Sequence, residues 1–128
     1  MNNEIKSLKN DYLSLLSTVE SYFHGLYHSD TETLKSIFDP NAIIVGFYEG
    51  EHIRHSLAKY LQFVGGVSAP SQIDEDYDME IISIDQKGPI ATVRVRLLYE
   101  ALYHNEFLSF KKNKDHWLIV HKLFCHED

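Results

Sequence analysis

The sequence predicts an α+β fold: three helices in the N-terminal half, and a mainly antiparallel sheet that curves into a cup. Three features carry the prediction. Apolar residues recur at spacings of three and four from the start of the chain, at Ile5, Leu8, Tyr12, Leu15, Val19, Tyr22 and Leu26, the stripe of a long amphipathic helix. Residues 19–50 then pass from that helix into a capped turn at His28-Ser29-Asp30, a short second helix that stops at Asp39-Pro40, and a β-branched strand. From Tyr77 onward, apolar and polar residues alternate in four segments separated by turn residues.

Each element has a local cause. Leu13, Leu16, Phe23 and Tyr27 widen the first stripe, so the helix is expected to be covered on more than one side. A coiled coil is disfavoured because charged flanks and further heptads are missing. Ser29-Asp30-Thr31-Glu32 reads as a capping box with Ser29 or Asp30 as N-cap. The second helix turns Leu34, Ile37 and Phe38 inward, and Pro40 ends it because a residue before proline avoids helical torsions. A strand over 42–47, a tight turn at Tyr48-Glu49-Gly50-Glu51 and a short return strand at His52-Ile53-Arg54 follow. Ser56 caps a third helix with Leu57, Tyr60, Leu61 and Val64 on its inner face, and Gly65-Gly66 supplies the C-cap. Residues 67–76 form the one expected mobile loop.

The strands are expected at 77–85, 90–102, 105–112 and 116–126, with turns at Gln86-Lys87-Gly88-Pro89, Tyr103-His104 and Asn113-Lys114-Asp115. Short connections make consecutive strands antiparallel. Ala91, Val93, Val95, Leu97, Tyr99 and Ala101 share one face of the second of these strands. The last strand is apolar on both faces, with Trp117, Ile119 and Leu123 against Leu118, Val120 and Phe124. Burial on both faces implies two covering layers. Helices supply one, and a second copy of the chain is expected to supply the other, giving a homodimer through the outer sheet face.

The 128 residues make one domain, 1–128, and 44% apolar residues give it a core without disulfides or metals. A net charge of −7 and the lack of a basic patch beyond Lys111, Lys112 and Lys114 disfavour nucleic acid, which needs many cations. The single Cys125 fits a reducing compartment. Met1-Asn2-Asn3-Glu4 does not read as a signal peptide, and no apolar run approaches the ~18 residues of a membrane span. A soluble cytoplasmic protein is expected.

Chemistry is harder to find. His24 and His28, four apart, share a helix face and could pair on a metal, with His52, His55, His121 and His126 as further candidates. A site needs three or four converging ligands, so surface or hydrogen-bonded histidines are favoured and no metal is expected. Asp30 could be a general base, but a helix cap already explains it. Asp39 suits the turn before Pro40. Arg94 and Arg96 share a strand face and could anchor an anion, against pairing with Glu80 or Glu100. His121, inside the most apolar strand, could serve as acid or base, against a satisfied core or interface role. Tyr22, Tyr48, Tyr60 and Tyr99 each suit packing and together suit a pocket for a flat, partly polar ligand. There is no nucleophile elbow and no Gly-rich phosphate loop. Cys125 reads as an incidental thiol.

Tyr22-Phe23-His24-Gly25-Leu26 with Ser29-Asp30, Phe38-Asp39-Pro40-Asn41-Ala42, Gly46-Phe47-Tyr48-Glu49-Gly50, Tyr77-Asp78-Met79-Glu80-Ile81, Ala91-Thr92-Val93-Arg94-Val95 and the closing residues 117–124 resemble the nuclear transport factor 2-like superfamily, and within it the bacterial lumazine-binding branch. The resemblance covers nearly the whole chain. It implies a cystatin-like cone: a strongly curved antiparallel sheet wrapped round helices, with a deep internal cavity, usually in a dimer. The superfamily includes dehydratases, isomerases, cyclases, small-molecule binders and protein-association modules, and fold does not choose among them.

The reading that follows is a small-molecule-binding domain with no cofactor and an aromatic cavity walled by Tyr22, Phe38, Phe47, Tyr60 and Phe124, with His28 and His121 as polar contacts. The alternatives are a cofactor-free dehydratase, isomerase or cyclase with a His or Asp base in the same cavity, and an association module that binds another protein through its outer sheet.

Overall fold

The computed structural model describes residues 2–128; residue 1, where the sequence reading starts the domain, lies outside the described residues. Three helices, α1 (Asn2–His28), α2 (Thr31–Ile37) and α3 (Leu57–Gly66), pack in the hollow of one six-stranded sheet. Its strands are β1 (Phe38–Tyr48), β2 (Glu51–Ser56), β3 (Met79–Lys87), β4 (Ile90–Tyr99), β5 (Leu102–Asn113) and β6 (His116–His126), in the order β2-β1-β6-β5-β4-β3. Neighbours are antiparallel except β1 and β6, which run parallel. The long-range β1–β6 pairing joins the N-terminal hairpin to the C-terminal meander and makes one unclosed, curved sheet of both. Among the described residues no helix is long and apolar enough to cross a membrane.

Local chemistry sets most boundaries. Asp30 is the N-cap of α2; its carboxylate accepts from the Thr33 backbone N–H (3.1 Å) and hydroxyl (2.7 Å), bonds that hold its pKa below the ordinary value. Ser56 Oγ accepts from Lys59 N at 3.2 Å and starts α3. Glu49 and Gly50 both take positive φ, 48° and 82°, the turn that matches strand twist in a two-residue hairpin. Asp39, expected in the turn that ends the second helix, is instead the second residue of β1; its Oδ1 accepts from Asn41 N at 2.8 Å and its Oδ2 faces Lys111 at 2.9 Å.

Several elements differ from the sequence reading. β1 begins at Phe38, not Ala42, because the extended torsions imposed before Pro40 continue directly into the strand. Gly65 and Gly66 lie inside the last turn of α3, whose C-cap is the extended Val67. The β4–β5 turn falls at Glu100-Ala101 (φ 52° and 64°), not at Tyr103-His104. Two non-glycine residues hold this left-handed pair because the Glu75 carboxylate accepts both their N–H groups, at 3.1 and 2.7 Å. That clamp also changes the loop 67–76. It carries a short 3₁₀ turn, Pro70–Gln72, with Ala69 and Pro70 buried, and Tyr27 Oη donates to the Glu75 carbonyl at 2.7 Å. The loop is a strap tied to α1 and to the β4–β5 turn.

The core lies between α1 and the concave face. Leu15, Val19, Tyr22 and Leu26 of α1 are buried, with Val93, Val95, Leu97, Leu108, Phe110, Trp117 and Ile119 of the sheet. Toward its start α1 outruns the sheet. Lys112 pairs with Asp11 and Trp117 Nε1 donates to the Asp11 carbonyl at 3.1 Å; beyond that anchor Ile5 and Leu8 are exposed, as is Tyr12 next to it. The stripe therefore continues past the surface available to cover it.

Bulges decide which residues face inward. Ile82 is the extra residue of β3, so Met79 and Ile81 face in before it and Ile84 after it. Val120 is the extra residue of β6: Ser109 pairs with His121 while Phe110 pairs with Ile119. Before it the odd residues Trp117 and Ile119 are buried; after it the even Lys122 is. The expected grouping of Leu123 with Trp117 and Ile119 is corrected accordingly: Leu123 is exposed on the outer face, and Phe124 turns inward.

Candidate functional site

Strand register places three rows of side chains on the concave face. His55, Ile44, Lys122, Leu108 and Val93 form one; Ile53, Gly46, Phe124, Glu106 and Val95 the next; Tyr48, His104 and Leu97 lie beyond. Between these rows and Leu26, Tyr60, Phe63 and Val64 of the helices is a cavity of ≈ 90 Å³. That volume is about three waters at liquid density and less than the ~150 Å³ that encloses benzene, so a ring held here would extend into the open rim. Its accessible wall is almost wholly apolar. The half-buried Ile53 and His55 and the exposed Phe63 mark its outer rim.

Beneath this wall lies a buried polar cluster. Lys122 and Glu106 are 6% and 2% exposed, and Nζ stands 3.2 Å from Oε2. Tyr22 Oη donates to Oε1 of the same carboxylate at 2.5 Å, and Lys122 Nζ donates to Tyr60 Oη at 3.2 Å. The ammonium also sits against the rings of Tyr60, Phe124 and Tyr22, at 4.7, 5.2 and 5.5 Å. Burial disfavours the Lys122 ammonium, but the Glu106 charge and Tyr60 outweigh it and hold its pKa above the ordinary lysine value. Burial, then the Glu106 charge, pushes the Tyr22 phenol up. The cluster is thus a charged pair whose formal charges cancel, with each carboxylate oxygen already partnered.

His104 is 5% exposed, and its Nε2 lies 3.2 Å from the Tyr99 carbonyl. A carbonyl accepts, so Nε2 carries the proton and Nδ1 is left as the acceptor. Burial is the largest influence on this ring and lowers its pKa; Glu106 opposes, while Lys122 and His126 add to the lowering. The folded protein therefore takes up this proton less readily than the unfolded chain. Stability from His104 is complete above the ordinary 6.5 and is lost as pH falls below it. Urea midpoints are expected to fall between pH 7 and pH 5.5, and His104→Gln is expected to flatten that slope; an unchanged slope would remove His104 as its source.

Compared with known proteins, the chain matches the model of a family described as "Putative lumazine-binding" over residues 10–125. The chain belongs to this family. Its fold is nuclear transport factor 2-like. A nuclear transport factor 2-like protein of unknown function from Silicibacter pomeroyi DSS-3 is 25% identical with a TM-score of 0.83, over 91% of this chain and 95% of that one. Proteins of the same description from Shewanella baltica OS155 and Methylobacillus flagellatus KT are 18% and 17% identical, with TM-scores of 0.81 and 0.82. The first alignment covers 91% and 94% of the two chains, the second 92% and 93%. No curated protein matches the sequence.

In this member of the family the residues singled out from sequence are divided. Tyr60 and Phe124 line the cavity. Tyr22 and Phe38 lie behind its wall, their rings 6.2 Å apart and Phe38 5.6 Å from Tyr60. Phe47 is on the outer face and 53% exposed, because Ile44, Gly46 and Tyr48 take the inward positions of β1. His121 pairs with Ile43 and Ser109 on that outer face, turned there by the bulge. His28 is exposed at the end of α1, its ring 4.7 Å from His24, which lies 3.6 Å from Asp30. Among the described residues no three His, Cys, Asp or Glu side chains gather for a metal. Arg96 pairs with Glu127 (2.6 and 3.1 Å), not with Glu80 or Glu100, and Arg94 lies over Phe107. Sequence reasoning missed Glu106, Lys122 and His104. The available signal was alternation in β5, where His104, Glu106, Leu108 and Phe110 share a face.

Proposed function

We propose that this chain binds a compact, flat, partly polar small molecule in the cavity between α3 and the concave sheet. The observation that carries the reading is the apolar cavity at which a few polar side chains, Tyr60, Tyr99, His104, Glu106 and Lys122, converge. The family description is consistent with a heteroaromatic ligand of the lumazine type. Binding is the simpler reading because Glu106, the cavity's carboxylate, is held by Tyr22 and Lys122 in a pair whose charges cancel. Of the two bases considered from sequence, Asp30 is engaged as a helix cap at the surface and His121 lies on the outer face of the sheet. Native mass spectrometry of protein purified from the organism that makes it is expected to show a noncovalent adduct, absent from a cavity-filling Leu97→Trp variant. Equal spectra for the two, with no adduct in either, would overturn the reading.

A second copy of the chain is proposed to cover the outer sheet face. Register aligns Val45, Leu123 and Phe107 across three neighbouring strands, with Phe47 beside them, and Phe47, Phe107 and Leu123 are about half exposed. Light scattering at micromolar concentration is expected to give a dimer, and Phe107→Glu a monomer; a monomeric parent protein would contradict the proposal.

A further inference from the structure

The polar groups around the cavity differ in what they leave unsatisfied. The Lys122–Glu106 pair is internally neutral and Tyr22 and Tyr60 are engaged with it, so each of its polar groups has a partner within the protein. Tyr99 is different. Its side chain is 7% exposed and lines the cavity, and its hydroxyl is buried with no hydrogen-bond partner. A buried donor without an acceptor costs free energy, and such groups are rare enough that each calls for a reason. The phenol is neutral: burial, followed by Tyr60 and the nearby carboxylates of Glu100 and Glu75, raises its pKa far above the working range.

We propose that the cavity selects a neutral ligand bearing a carbonyl-type acceptor, and that Tyr99 Oη is the donor that reads it. This rests on the binding reading above and narrows it to a ligand class. An acceptor that reaches Tyr99 satisfies the orphaned hydroxyl, which an isosteric hydrocarbon leaves unpaired. A carboxylate brings a net charge into an apolar enclosure where the one cation is already neutralised by Glu106, and loses its hydration without compensation. His104 reinforces the same preference. With Nε2–H committed to the Tyr99 carbonyl, its ring holds the backbone of the reading residue in place and adds no positive charge.

Three probes of nearly one shape separate the possibilities: acetophenone (neutral, with acceptor), α-methylstyrene (neutral, without) and benzoate (anionic). Binding is followed by methyl shifts of Leu26, Ile44, Val64 and Leu97, which line the cavity. Acetophenone is expected to bind roughly tenfold more tightly than α-methylstyrene, the discrimination of one good hydrogen bond, and benzoate not to shift these methyls. Tyr99→Phe, which removes only an unpaired hydroxyl, is expected to fold, to keep its affinity for α-methylstyrene and to erase the tenfold preference. Equal affinity for the two neutral probes, an unchanged preference in Tyr99→Phe, or binding of benzoate at these methyls would overturn the selectivity while leaving the cavity a binding site. Failure of all three probes to move the methyls would overturn the binding reading itself, and the selectivity with it.

Discussion

Glu106→Ala is expected to destabilise the fold by about 3–5 kcal/mol, because it strands the Lys122 ammonium in the core. Lys122 is 6% exposed and Glu106 is its only carboxylate partner among the described ion pairs. The same substitution leaves Tyr22 Oη, on the fully buried face of α1, without its acceptor. In a domain of this size the loss lowers Tm by roughly 10–20 °C. Replacing both partners together has a different outcome. Glu106→Leu with Lys122→Met removes the unpaired charge as well as the pair, and the double variant is expected to recover most of the loss, short of the parent by about 1–3 kcal/mol for the Tyr22 hydroxyl that still lacks its acceptor. Urea unfolding of Glu106→Leu, Lys122→Met and the double variant beside the parent makes a complete cycle. A Glu106→Ala variant within about 1 kcal/mol of the parent would mean that water reaches the pair, and that the cavity floor is not the dry, internally neutral cluster described.

Gly46→Ala is expected to cost about 3 kcal/mol, at the upper end of overpacking effects, because the cost falls on backbone as well as side chain. Gly46 pairs with Phe124 across the parallel β1–β6 junction, and the Phe124 ring lies over it. A Cβ here would come well inside 3.0 Å of both the Phe124 carbonyl oxygen and the ring carbons. The ring could turn away, but the carbonyl belongs to the central strand pair and moves only if the sheet parts. Phe124→Leu in the Gly46→Ala background is therefore expected to restore little of the loss. Full restoration would show that the ring alone resists the methyl group. The position matters because β1–β6 is the one parallel junction of the sheet, and Phe124 is a wall of the cavity.

These two positions show where the residue string was sufficient and where it was not. The long α1 stripe, the Asp30 and Ser56 caps, the Glu49-Gly50 turn and the inward face of β4 were all legible, since each depends on neighbours within a few residues. The last strand was misread for a physical reason. Alternation predicts facing only while the register is unbroken, and the extra residue Val120 moves every later side chain of β6 to the opposite face. His121, offered as a polar contact, went outward, and Lys122, not singled out from the sequence, went into the core. A buried lysine also defeats composition-based expectation, because its burial is stabilised by a carboxylate 16 residues away on another strand.

What the chain specifies locally is the set of elements: which segments are helix or strand, where each begins, and which aromatic side chains are available to pack. Local sequence also makes the meander antiparallel through its short turns. It does not specify that β1 joins β6 in parallel, since that pairing spans most of the chain and no turn encodes it. Tertiary structure alone decides that junction, the bulge that reverses β6, and therefore which charges are buried together. The cavity follows from all three. Its apolar wall could be anticipated from composition, but its polar floor of Tyr22, Tyr60, Glu106 and Lys122 exists only where four separate elements meet, because desolvated charges persist only with partners that folding brings to them.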